Sequence, residues 1–132
     1  MMHHFVEHTG EVELAIEASS EAGVFEEALV ALAELVGPEP GGQPARHIVD
    51  VSASDRALLL ADWLTEALFL SEVEHFVPER LASIELQGDR VCATVEGRRG
   101  RPSHLVKAVT LNSLEFFQRE NGAWHGRVVL DV

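Results

Sequence analysis

Two alternating runs that flank Gly88-Asp89 place the strongest constraint on how this chain can fold. The run RLASIELQ precedes the pair and the run RVCATVEG follows it, and apolar and polar residues alternate along both. Such alternation is typical of a half-buried β-strand, and a Gly-Asp pair tolerates the positive φ angles of a two-residue turn. The sequence therefore predicts an antiparallel hairpin over residues 80–97.

Three further segments have the period of a strand. The run EVELAIEA at 11–18 alternates, with Val12, Leu14 and Ile16 on one face and glutamates on the other. A short strand is predicted at 47–53. The final segment carries Asn121-Gly122, a strong hairpin signal, so we expect two strands to pair around it.

Helical periodicity separates these strands. A first helix is predicted from a cap at Ser19 or Ser20 to Val36, and a second from Ser54 to about Leu70. The second segment is apolar nearly all round, so it is predicted to be the central core helix. The Pro/Gly-rich segment 37–46 is expected to be an exposed, mobile loop, and His3 and His4 are expected at a frayed end.

The order β-α-β-α-ββ-ββ indicates an α+β fold. We expect a single domain over residues 1–132, in which a largely antiparallel or mixed β-sheet packs with two main helices. A chain of 132 residues is long enough for one substantial core and too short for two ordinary domains.

Charge narrows the range of partners. The formal net charge is −12, which disfavours broad contact with nucleic acid and favours a cation or a basic protein. Arg98, Arg99 and Arg101 cluster in one segment, where a solvated loop is the simpler interpretation, so RNA contact is expected only indirectly. No apolar run approaches the roughly 20 residues of a bilayer span, so we expect a cytoplasmic protein without membrane contact.

Carboxylates at the two ends of the chain indicate a possible cation site. If the strand at 11–18 lies beside the last strand, Glu11 meets Asp131 and the main-chain carboxylate of Val132. Oxygen ligands of this kind suit a hard divalent cation, and His8 and Glu13 are possible additional donors. The simpler alternative is that these acids are only the solvent face of a half-buried strand.

The sequence lacks the usual signatures of catalysis. It contains no G-x-x-x-x-G-K-[ST], G-x-S-x-G, H-E-x-x-H or C-x-x-C motif. We therefore predict that the protein is not an enzyme by itself.

Four segments occur in the order and spacing of a known family: HTGEVELAI, LLLADWLTEALFL, VKAVT and VVLDV. They span nearly the whole chain, and on them the sequence resembles the archease family. The resemblance implies an archease-like fold and a small cytoplasmic accessory protein of the RtcB-type RNA ligase, which acts in tRNA splicing and RNA repair. Such a protein assists GTP-dependent guanylylation of the ligase and helps it turn over repeatedly.

The resemblance also implies a set of site residues. The family's metal site, usually described as calcium-binding, corresponds to Glu11, Asp131 and Val132, and its functional lysine corresponds to Lys107. This chain has Gly10-Glu11 where the family has Ala-Asp, which lengthens one ligand by a methylene, and Glu13 replaces a motif glycine. Two alternatives stay open: a small metal-dependent hydrolase acting on phosphoesters or nucleotides, and a metal-free, chaperone-like adaptor.

Overall fold

A computed structural model describes residues 1–37, 42–104 and 106–132. In these residues the chain forms seven strands and two helices, which confirms the predicted α+β class. In chain order they are β1 (Met2–His8), β2 (Glu11–Ala18), α1 (Glu21–Val36), β3 (Pro44–Ser52), α2 (Arg56–Val73), β4 (Phe76–Gln87), β5 (Arg90–Arg99), β6 (Ala108–Gln118) and β7 (Trp124–Asp131).

The described strands divide between two antiparallel sheets, where the sequence predicted a single sheet. One sheet has the order β1-β2-β7-β6 and the other the order β3-β5-β4. The predicted hairpin around Gly88-Asp89 is β4–β5, and the one around Asn121-Gly122 is β6–β7. Each sheet turns one row of apolar side chains inward, as Leu14 and Ile16 do in β2 and Val91 and Val95 do in β5. Two such faces require a core between them, and both helices contribute to it.

Side-chain caps define where the helices begin. Ser20 caps α1 by accepting a hydrogen bond from the Gly23 N–H at 3.0 Å. Asp55, rather than the predicted Ser54, caps α2 by accepting from the Leu58 N–H at 3.0 Å. Each cap satisfies one backbone donor that the first helical turn leaves free. No helix among the described residues combines the length and the hydropathy that crossing a bilayer requires.

The two helices meet at a buried aromatic contact. Trp63 of α2 is fully buried and donates its indole N–H to the carbonyl oxygen of Phe25 in α1 at 3.0 Å. The two rings pack edge to face with centroids 6.2 Å apart. The prediction that α2 is the core helix is therefore confirmed for most of its length, although Phe69 and Val73 are 51% and 52% exposed.

The loop predicted at 37–46 is shorter than expected. Pro44, Ala45 and Arg46 extend β3, which is an edge strand, and a proline at the first residue of an edge strand costs no ladder hydrogen bond. Residues 38–41 lie outside the described part of the chain.

The expectation of a frayed N-terminal end is wrong. Residues 2–8 form β1, which pairs with β2 along its whole length. The ring of His3 faces α1, where its Nδ1 lies 2.6 Å from a carboxylate oxygen of Glu27 and its Nε2 lies 2.7 Å from one of Glu34. Glu27 and Glu34 are two helical turns apart, so they share one face of α1 and hold the ring from both sides.

We predict that this clamp makes stability depend on pH. Desolvation acts to lower the pKa of His3, but hydrogen bonds and charge from Glu27 and Glu34 outweigh it and raise the pKa above 6.5. The clamp therefore stabilises the fold fully below pH 6.5, and this contribution is lost as pH rises through the folded-state pKa. Denaturant unfolding of His3→Gln should show a loss of about 1–2 kcal/mol at pH 5.5 to 6.

The same measurement near pH 9 should give a much smaller difference. His4→Gln is the matched control, because His4 is exposed and makes none of these contacts. A His3→Gln deficit that stays constant between pH 5.5 and 9 would show that charge on His3 contributes nothing.

Candidate functional site

The candidate site lies on the face of the four-stranded sheet that points away from the helices. Val12, Leu14 and Ile16 of β2 face the core, so the intervening Glu11, Glu13 and Glu17 face outward. Strand β7 lies antiparallel beside β2, with Glu11 opposite Asp131 and Val12 opposite Leu130. The prediction that the strand at 11–18 lies beside the last strand is confirmed.

Residues from three parts of the chain meet around Asp131. Glu11 is its direct cross-strand partner, so the two carboxylates share a face, with Cβ atoms about 5 Å apart. The Lys107 N–H donates to the carbonyl oxygen of Asp131 at 2.7 Å, and the Val132 N–H donates to that of Gly10 at 3.1 Å. Gly10 has a φ of +75°, which glycine adopts without strain in the tight β1–β2 turn. Main-chain hydrogen bonds thus fix both carboxylate-bearing strands at this end of the sheet.

Lys107 is joined to this end through its main chain, whereas its side chain borders a different surface. Ala108 is the residue opposite Asp131, and Lys107 lies immediately before the start of β6. Lys107 lines a groove of about 230 Å³ between α2 and the start of β6, together with Glu72 and Phe69. The structure therefore places the lysine beside the carboxylate pair rather than within it.

The two possible additional donors differ in their surroundings. His8 is the cross-strand partner of Glu11 in the β1–β2 pair and is exposed on the same face. Glu13 forms an ion pair with Arg127, so its charge is already compensated.

The opposite end of this face carries a polar network that sequence reasoning missed. His125 is 7% exposed; its Nε2 lies 2.9 Å from a Glu115 oxygen and its Nδ1 lies 3.3 Å from a Glu17 oxygen. Arg119 donates to Glu17 at 2.6 Å. Desolvation acts to raise the pKa of Glu17, but the bond and charge of Arg119 outweigh it and lower that pKa. No sequence signal links these residues, because Glu17 and Arg119 are far apart in the chain.

The acids of this outer face therefore fall into two groups. Glu13, Glu17 and Glu115 each have a cationic or histidine partner. Among the described residues, Glu11 and Asp131 have no ion-pair partner, although they lie directly opposite each other. Like charges in direct cross-strand positions destabilise a sheet, so this end lacks the compensation that the other end has.

The side chains alone do not form a complete metal site. Within the ranges that the structure describes, no three Asp, Glu, His or Cys side chains lie close enough together to hold a metal ion. Glu11 and Asp131 supply oxygen donors of the kind calcium prefers, but calcium takes six to eight such ligands. The residues present thus fit part of an oxygen-rich shell.

Comparison with known proteins identifies the family. A profile of the Archease protein family (MTH1598/TM1083) matches residues 3–132. The protein archease of Methanosarcina mazei is 28% identical over 98% of this chain and 95% of its own length. That of Methanothermobacter thermautotrophicus is 31% identical, with 83% of each chain covered.

Solved structures agree with this match. The solution structure of Methanobacterium thermoautotrophicum protein 1598 superposes with a TM-score of 0.74 at 25% identity, covering 98% of each chain. The crystal structure of a Thermotoga maritima archease, described as a possible chaperone, has a TM-score of 0.67 at 22% identity over 100% of this chain and 98% of its own. Because the family profile spans nearly the full sequence and the folds agree, this chain belongs to the archease family.

Proposed function

We propose that this chain is a non-catalytic accessory protein of an RtcB-type RNA ligase in the cytoplasm. It promotes the GTP-dependent guanylylation of the ligase and its multiple turnover in tRNA splicing and RNA repair. The partner is the ligase protein, and RNA is contacted only through it. Family membership supports this proposal, and the outer face of the four-stranded sheet supplies its chemistry.

The observation that carries the proposal is the uncompensated pair Glu11 and Asp131. The register holds the two carboxylates face to face, and neither has a partner among the described cations. A bound cation would remove the repulsion, and the same oxygens are the donors that a hard divalent cation prefers. We therefore assign Glu11, Asp131 and Val132 to a divalent-metal site of the calcium type.

Each of these residues has a separate role. Glu11 and Asp131 hold the cation, and the longer Glu11 side chain suits the flexible coordination of calcium better than the strict octahedron of magnesium. When bound, the cation supplies positive charge that phosphate oxygens of the ligase's GTP can face. The main-chain bond from Lys107 to Asp131 fixes the backbone of Lys107 next to the pair, and its compact ammonium adds positive charge at the adjoining groove. The shell is completed by water or by the partner.

The arginine cluster supports a protein partner rather than direct RNA contact. Arg98 is used within the fold, since it donates to the Gly42 carbonyl oxygen at 2.8 Å and approaches Glu79 at 3.5 Å. The net charge of −12 disfavours phosphate binding over the surface as a whole.

A metal-free adaptor is the second candidate. The absence of a three-side-chain metal cluster in the described residues favours it. One experiment distinguishes the two functions. The rate of guanylate transfer from GTP to the cognate ligase is measured with and without the protein, before and after calcium is selectively chelated. The metal-dependent function predicts that chelation abolishes the stimulation, and the adaptor predicts that it does not. Phosphoester turnover by the isolated protein would instead indicate the hydrolase.

We predict that neutralising either paired carboxylate weakens cation binding. Glu11→Gln and Asp131→Asn each remove one anionic ligand, so calcium affinity measured by titration calorimetry should fall about 10- to 100-fold. Glu85→Gln, which removes an exposed carboxylate from the other sheet, is the control and should bind as the parent does. Parent-like calcium binding by both site variants would exclude this pair as ligands.

Removal of Lys107 should reduce stimulation of the ligase without changing the fold. Lys107 is exposed, so Lys107→Ala should unfold as the parent does while the single-turnover rate of guanylylation falls about 10-fold or more. Lys107→Arg should restore only part of the rate, because a planar guanidinium does not replace a compact ammonium. Arg99→Ala removes an exposed cation from β5 and is the control. An undiminished rate with Lys107→Ala would remove the lysine from the mechanism.

A further inference from the structure

We propose that the exposed face of α2 docks a basic segment of the partner ligase that carries an apolar side chain, an inference that rests on the proposed function. This surface, the acidic α2 face, consists of residues at helical spacing along one side of the helix: Asp62, Thr65, Glu66, Phe69, Glu72 and Val73.

Two apolar side chains on this face are left out of the core. Phe69 is 51% exposed and Val73, one turn later, is 52% exposed. These two exposed residues explain why the sequence of α2 is apolar nearly all round, although one side of the helix faces solvent. A half-exposed aromatic residue with an apolar neighbour and a polar rim is the usual composition of a binding anchor.

The acids around these anchors are arranged unfavourably for the isolated chain. Asp62 and Glu66 are spaced i,i+4, where like charges repel. Glu72 lies in the last turn of α2, which has no basic residue, and carboxylates there oppose the helix dipole. Among the described residues, none of these three acids has an ion-pair partner. Charge arrangements that are unfavourable for the isolated helix are expected where a surface binds a partner.

Charge decides which kind of partner fits. Three uncompensated carboxylates repel RNA phosphates and attract lysine or arginine side chains, so the occupant is a basic protein surface. A copy of this chain is a poor match, because its own net charge is −12.

The acidic α2 face adjoins the candidate functional site. Phe69 and Glu72 line the groove of about 230 Å³ that also contains Lys107 and the first residues of β6. A ligase segment bound to this face is therefore in contact with the element that carries Lys107. Docking there positions the lysine and the nearby carboxylate pair for the guanylylation step.

The first test measures binding of the full chain to the cognate ligase by titration calorimetry. Phe69→Ala should weaken binding about 10-fold. Ile48→Ala is the matched control, because Ile48 is 71% exposed on β3 of the other sheet. Parent-like binding by Phe69→Ala would overturn the proposal, as would a change of oligomeric state, which would make this face a contact between copies of the chain.

The second test reverses a charge in a way that should not harm the fold. Glu66→Lys converts repulsion with Asp62 into an i,i+4 attraction, so Tm should rise by about 1–3 °C. Ligase affinity should nevertheless fall about 10-fold and depend less on salt. Glu85→Lys makes the same charge change on β4 and should leave affinity near that of the parent. Equal loss of affinity in both variants would show a general charge effect and would overturn the proposal.

Different results would contradict the proposed accessory function and the proposed docking surface. If the parent protein neither binds nor stimulates the ligase, the accessory function is wrong and the docking surface falls with it. If the parent stimulates the ligase and Phe69→Ala and Glu66→Lys bind as the parent does, only the docking surface is wrong.

Discussion

The antiparallel pairing of β2 with β7 is the constraint on which the rest of the structure depends. It joins residues from opposite ends of the chain in one continuous register from Glu11–Asp131 to Ala18–Trp124. A slip of one residue would move Leu14 and Ile16 from the core to solvent, so the hydrophobic pattern of β2 fixes that register. Once it is fixed, Glu11 and Asp131 must face each other. The carboxylate pair is thus a consequence of how the core is buried.

The register places acids along the outer face of the sheet, and their negative charge is compensated at one end only. Around Glu17 and His125, opposite charges and shared hydrogen bonds neutralise the acids. Around Glu11 and Asp131, and again on the exposed side of α2, carboxylates stand without partners among the described residues. An acidic protein has no general need for such an arrangement. Both surfaces flank Lys107, so the proposed cation site and the proposed docking surface adjoin each other.

Structural features that depend on short sequence patterns could be predicted, whereas features that depend on tertiary contacts could not. Alternation and turn residues locate β2 and the β4–β5 hairpin, and helical periodicity locates α1, because these patterns lie within a short window. Strand β1 was missed because what holds it is tertiary: His3 is clamped by Glu27 and Glu34 of a later helix. For the same reason no window of sequence indicates the Glu17–His125 network or the division into two sheets. The position of Glu11 beside Asp131 was predictable only as a possible pairing, and the family resemblance singled it out.

The central claim is that the two strands converge to hold one divalent cation, and anomalous diffraction tests it most directly. Crystals grown with calcium and exchanged with terbium should give one strong peak, about 2.3–2.6 Å from oxygens of Glu11, Asp131 and Val132. A well-ordered crystal with no peak at that end of the sheet, or with its strongest peak elsewhere, would contradict the account.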